Sequence, residues 1–386
     1  MGENSPIGVQ RRHRPIDKKR MVAAALKLLL AGVCAGPMVC AQPTATPVVN
    51  LTAITKVDAP LVPSASMIAY ATCDSAGNVY ARQADKEMLT DPVKRRMAPV
   101  QKITPAGSLA GSFQVADAFP EATRSKNGIA VPRHEYISSH DIFVTANGRA
   151  FQVVWVMGEV FVVEFAQDGS VKAKTKLLTE PGSRMSPWHL AVFGSGEYLV
   201  TGAIGKDRLT PFTAVFAADG RMVKKIYEPE DEDARSKARP GDLVAPSRGG
   251  NGGVDFVMYG GVTVGSDGNA YLLHGTTSFA LVYVISPAGD VVRKLRIESG
   301  DPDLVARNIK SYAGRLAVEF DDNYAGEYRN LIKVTDLQGK SIADYGMGKV
   351  EGQFLYLAGY SAAGFHFMPY ETTDDKKMFV VNAKLP

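Results

Sequence analysis

The chain has 386 residues, with 44 Lys and Arg against 40 Asp and Glu, a formal net charge of +4, and only 3 Cys. The excess of positive charge is local: residues 1–41 hold seven of the basic residues and two of the acidic ones, leaving 37 basic and 38 acidic residues downstream. A balance near −1 over residues 42–386 excludes nucleic acid and anionic membrane surfaces as partners. The single cysteine in that stretch, Cys73, excludes an intramolecular disulfide and a cysteine metal cluster.

The first element in chain order is an expected export signal over residues 1–41. "RRHRPIDKKR" is its basic n-region, and an apolar stretch runs from Met21 to the small residues Val39 and Ala41, which predict cleavage before Gln42. The chain is therefore expected to be exported, periplasmic or extracellular, with no membrane association after cleavage. Retention of the apolar run as an anchor is the alternative. Residues 42–65 follow as an N-terminal segment containing the strand "TPVVNLTAITKV" (46–57), and residues 66–386 form the main domain.

That domain repeats one turn. "GSDGNAYLLH" has Gly268, and the pattern recurs around Gly77, Gly148, Gly196, Gly314 and Gly364, at separations of 71, 48, 72, 46 and 50 residues. A second turn follows all but the last, at Gly107, Gly169, Gly220, Gly289 and Gly339. Asp-Gly and Asn-Gly supply positive φ at little steric cost, and strand-formers flank them, so each turn marks a hairpin. Between the turns, "AFQVVWV" (150–156), "EVFVVEFA" (159–166) and "ALVYVIS" (280–286) are almost continuously apolar, which predicts strands buried on both faces. Four short strands per unit in six units predict an all-β fold, a six-bladed β-propeller, with seven blades as the alternative. The last unit has three strands, so residues 46–57 are expected to supply its outermost strand, closing the ring and removing an exposed edge.

"SDGNAYLL" and "FAADGRMVKKI" resemble the repeats of bacterial six-bladed propellers of the NHL-repeat and gluconolactonase/regucalcin-like type, a resemblance that would cover residues 66–386. In the gluconolactonase-like family a divalent metal in the central channel is held by a Glu of the first blade, by Asn side chains and by an Asp. The first inner strand here, "SMIAYATCDS", has no Glu, and neither Gly260 nor Arg307 matches a ligand of that kind.

In a propeller the first strand of each blade lines the channel. The tight Gly turns should crowd one rim, and the long segments 83–99, 116–140 and 227–255 the other. Counting back seven or eight residues from each first-turn glycine places His140 and Asp141, Trp188 and His189, Gly260 and Gly261, Arg307, and Leu357 at one channel mouth. These residues fit a site for a polar or anionic ligand, or a metal held by His and carboxylate. They also fit plugs that hydrogen-bond to neighbouring blades.

The other candidates have simpler readings. "HEYISSH" has its second His six positions after the first, where the zinc-protease pattern requires four, which leaves His134 a loop residue. His274 closes a strand, and His366 alternates with Phe365 and Phe367 as a packed residue would. Cys73 sits in a strand and is expected to be buried. "EPEDED" (228–233) lacks the Gly and spacing of a calcium loop, and "PVKRRMAP" (92–99) reads as a solvated tip. No nucleophile elbow, phosphate-binding loop or dinucleotide fingerprint occurs.

Two functions follow. The first is a monomeric binding module without a cofactor, its looped face holding a protein, peptide or glycan. The second is a metal-assisted hydrolase or lyase at the channel mouth, with one divalent metal such as calcium, His189 and Asp141 as ligands or base, and Arg307 on an anionic substrate.

Overall fold

The computed structural model describes residues 47–59, 67–84, 98–121, 125–126, 129–130, 137–226, 254, 257, 260–322, 329–370 and 378–386. The leader, most of the long segment 227–255 and the loop carrying His134 lie outside these residues. No helix among them is long and apolar enough to cross a membrane. The one helical element described is a short 3-10 turn, Val115–Ala118.

Six antiparallel sheets form the blades of a β-propeller, each with its first strand innermost. Those inner strands are Met67–Cys73, Ile137–Val144, Arg184–Val192, Gly260–Val264, Val305–Tyr312 and Leu355–Ser361. The apolar runs behave as their composition predicts. Ala150–Val156 and Phe279–Ile285 are buried almost throughout, whereas the outer strand Val171–Lys176 is largely exposed. Five buried apolar clusters fill the spaces between neighbouring sheets, and the last of them joins the sixth blade to the first through Ala71, Val79, Met368 and Val380. A single blade could not bury both of its faces; the ring buries all of them.

The eleven turn glycines all adopt positive φ, between 73° and 114°. At two turns the reason for the repeated Asp, Asn and Tyr is visible. Asp267 Oδ2 accepts from Asn269 Nδ2 at 2.8 Å and from Tyr271 Oη at 2.8 Å. Asp74 Oδ2 does the same with Asn78 Nδ2 at 2.8 Å and Tyr80 Oη at 3.2 Å. The turn carboxylate thus pins the buried tyrosine of the second strand, which packs between blades.

The N-terminal segment closes the ring, but as two strands where one was expected. Ile54–Asp58 pairs antiparallel with Phe379–Ala383 as the fourth strand of the last blade. Val48–Asn50 pairs parallel with the outer strand of the fifth blade, Asn50 opposite Gly346. Leu51 is the reason for the break: it turns inward to a buried place among Ile332, Leu355 and Phe379, and the chain folds back through an Ile54 N–H bond to the Thr52 carbonyl at 3.0 Å. One short segment therefore ties the fifth blade to the sixth.

Candidate functional site

The inner strands share a local irregularity. In five of them the register with the second strand skips one residue: Ala69, His140, Trp188, Arg307 and Ala358. Such a bulge re-aims a side chain and bends the strand. The fourth blade has no skipped residue and begins at Gly260, whose φ of 120° only glycine tolerates well. Counting back from the turn glycines had therefore located three of the five bulges, at His140, Trp188 and Arg307.

These strands enclose a cavity of about 1100 Å³ in the channel. Asp141, Trp188, His189, Gly260, Gly261 and Arg307 all line it, so the structure brings together most of the residues the sequence singled out. Leu357 is corrected: it is fully buried in the core between the last two blades, because the bulge at Ala358 reverses the alternation, and its neighbour Tyr356 faces the channel. His140 occupies its bulge position, with its side chain outside the described residues.

Asp141 works as a bridge between blades. Its Oδ1 accepts from the backbone of Ile142 at 2.9 Å and its Oδ2 from the backbone of Leu190, on the next blade, at 2.9 Å. His189 Nδ1 stands 3.8 Å from Asp141 Oδ2, beyond hydrogen-bond reach. Asn308 holds the corresponding place in the fifth blade. Its Oδ1 accepts from Ile309 N at 2.9 Å and its Nδ2 donates to Leu357 O, on the sixth blade, at 2.7 Å. Arg307 donates through Nε to Asp321 Oδ1 at 2.7 Å, and Tyr370 Oη donates to Asp321 Oδ2 at 3.0 Å.

Several wall residues escaped the sequence reading. Lys310 lies along the channel and donates to Ala71 O, on the first blade, at 3.2 Å; burial pushes its ammonium down from the ordinary lysine range. Glu319, on the second strand of the fifth blade, is fully buried, and burial followed by the charge of Asp321 pushes its carboxyl up to about 8. Tyr356, its phenol pushed well up by burial, has its ring 5.0 Å from that of Tyr370. A signal for Glu319 was present: the fifth residue after a first-turn glycine reads Arg82, Val153, Thr201, Leu273, Glu319 and Pro369, and the two charges in that buried column, Arg82 and Glu319, are out of place.

The remaining candidates are structural in their surroundings. His366 is fully buried, its ring bonded to Ser361 Oγ and Asn382 Oδ1, both at 2.7 Å, and burial pushes its imidazolium down. His274 is buried at the end of its strand. Cys73 stands in the channel wall, bonded to Tyr360 O at 3.6 Å, with its thiol pushed up to about 12 by the protein around it. It is far from a reactive thiolate.

The donors do not fit the resident divalent metal that the gluconolactonase-like resemblance implies. Asp141 commits both oxygens to backbone N–H groups, the first inner strand carries no carboxylate before Asp74, and no three His, Cys, Asp or Glu side chains converge among the described residues.

No family model matches the chain, and no curated protein matches it. Among solved structures, it is similar to luciferin-regenerating enzyme, at 9% identity and a TM-score of 0.47 over 86% of this chain and 95% of that one. It is also similar to a protein assigned as a gluconolactonase, at 11% identity and a TM-score of 0.44 over 86% of this chain and 94% of that one. A polysaccharide lyase matches at 10% identity and a TM-score of 0.40, over 83% of this chain and 77% of that one. What the channel does has to be read from its own side chains.

Proposed function

We propose that the chain is an exported binding module that takes a small polar ligand, of the size and character of a short glycan, into the channel mouth. The observation that carries this is the composition of one enclosed wall. Trp188, Tyr312, Tyr356 and Tyr370 offer flat apolar surface, and His189, Arg307, Lys310 and Glu319 stand among them around about 1100 Å³. Small-ligand pockets combine apolar and aromatic walls with a few placed polar groups, at volumes of roughly 300–1000 Å³. Aromatic faces suit the C–H faces of a sugar ring, and the polar groups suit its oxygens. The loops of the opposite rim give less to build on, since residues 85–97 and 227–253 lie outside the described residues. For the metal-assisted hydrolase or lyase, no three His, Cys, Asp or Glu side chains converge among the described residues.

The chain has two tryptophans, and Trp155 packs against the core while Trp188 lines the channel. Titrating the purified full chain with short neutral and acidic oligosaccharides should give a saturable change in tryptophan emission together with a raised melting temperature. Trp188→Phe should abolish the emission change, and Trp188→Ala should weaken binding, read by the melting temperature, about tenfold, as expected for loss of a stacking surface. Flat titrations across such a panel would remove this reading.

A further inference from the structure

Two buried polar atoms of residues lining the channel have no hydrogen-bond partner among the described residues. Glu319 Oε1 accepts two hydrogen bonds, from Asn330 Nδ2 at 2.7 Å and from the Leu357 backbone at 2.8 Å, while Oε2 makes none with any described residue. Tyr356 Oη likewise makes none, although only 8% of the residue is exposed. Both residues line the same cavity, and Glu319 lies close enough for its charge to raise the Tyr356 phenol further. Buried polar groups are nearly always satisfied, and an orphan costs on the order of 1–3 kcal/mol, so two orphans on residues that line one cavity call for an explanation.

We propose that Glu319 Oε2 and Tyr356 Oη together receive an acceptor oxygen of the ligand, a carboxylate or carbonyl, with Glu319 acting as a donor. The assignment rests on the reading of the channel as a small-ligand site and names the group the ligand must carry. The direction follows from occupancy. Oε1 already faces two N–H donors, so a proton on this carboxyl belongs on Oε2, the oxygen without a partner among the described residues. The surroundings keep that proton in place. Asp321 stands on the same strand with its oxygens taken by Arg307 and Tyr370, and its charge and burial both oppose ionisation of Glu319. Lys310, from the inner strand of the same blade, acts the other way, and its own ammonium is disfavoured by burial and also faces Asp141 and Cys73. From the sixth blade the facing group is Tyr356. A phenol and a neutral carboxyl in a low-dielectric wall make a pair of O–H donors.

Three sugars of similar size separate the possibilities: glucuronate carries a carboxylate, N-acetylglucosamine an amide carbonyl, and glucose neither. Read by Trp188 emission at about pH 7, glucuronate, N-acetylglucosamine or both should bind about tenfold more tightly than glucose, as expected when a wrong ligand leaves buried donors unpaired. The advantage should fall away as pH rises through about 8, where the Oε2 proton is lost. Glu319→Gln is the informative variant. Its amide keeps an acceptor for Asn330 and Leu357 and turns an N–H towards the cavity, so its preference should persist at high pH. Tyr356→Phe should lose a further part of the preference at every pH. Infrared difference spectra between the native chain and Glu319→Gln need no ligand: a protonated-carboxyl band should be present at neutral pH and vanish above about pH 8. Equal binding of the three sugars overturns the assignment and spares the channel reading. No such band at neutral pH, or a Glu319→Gln variant that keeps the native pH dependence, also overturns it. Three flat titrations overturn both.

Discussion

Two carboxyl groups in this channel show what one structural position can become. On the wall between the second and third blades, Asp141 bridges to the next blade with both oxygens accepting backbone N–H groups. On the wall between the fifth and sixth blades, Asn308 takes over that bridge, and Glu319, directly opposite Asn308 in the register, adds a second one through a single oxygen. Both walls are stitched by side-chain hydrogen bonds to the backbone of the neighbouring blade, accepted by Asp141 and Glu319 and donated by Asn308. They differ in spare valence. Asp141 is consumed by the fold; Glu319 keeps one oxygen that the fold does not use. Function is to be sought where a buried group has capacity left over.

The largest expected effect tests the consumed carboxyl. Asp141→Ala removes the acceptor for Ile142 N and Leu190 N, and two buried N–H groups without partners should cost about 4 kcal/mol. Asp141→Asn should cost less, since its carbonyl retains one bond while its amide meets the other N–H as a second donor. Urea unfolding of the two variants measures both. If instead Asp141→Ala is nearly neutral in stability, the two walls do not differ in the way proposed, and Asp141 returns as a candidate for chemistry.

The positions of the bulges were legible in the sequence, and their consequences only partly. The turn glycines fix where each inner strand ends, so counting eight back from Gly148 and Gly196 and seven back from Gly314 lands on His140, Trp188 and Arg307. The count failed at the sixth blade, where the turn at Gly364 is shorter and the skipped residue is Ala358, and Tyr356 was missed for Leu357. Six blades could be counted because strands buried on both faces have an unmistakable composition. The split of residues 48–58 over two blades could not be seen, because parallel pairing of Val48–Asn50 leaves no mark in a stretch that alternates equally well as one strand. Glu319 and Lys310 escaped for a different reason. Their roles depend on what faces them across blades, and no spacing along one strand reports that.

A second test sharpens the contrast through pH. The Glu319 carboxyl is held at about 8 in the folded chain against an ordinary value of 4.5. Between those values the folded state holds a proton that the unfolded state has released, so stability falls as pH rises through that window and levels off above it. Glu319→Gln has no such proton. Relative to the native chain it should gain stability progressively from about pH 5 to about pH 8 and gain no more above that. Unfolding midpoints of both proteins at about pH 5, 7 and 9 would show it. Parallel profiles would mean that Glu319 is ionised in the fold and that the fifth wall is as fully consumed as the second.

The smallest effect has the opposite sign to an ordinary core mutation. Tyr356 Oη is buried without a partner among the described residues, so Tyr356→Phe deletes an unsatisfied hydroxyl and leaves the ring against Tyr370. Removing a desolvated group that makes no bond relieves its cost, and the ligand-free variant should be more stable than the native chain by about 0.5–1 kcal/mol. The same change should weaken capture of an acceptor-bearing sugar. A variant that is more stable when empty and poorer when loaded is the signature of strain kept for a ligand. If Tyr356→Phe instead destabilises the empty chain, the hydroxyl serves the fold, and the idle capacity of this wall shrinks to Glu319 alone.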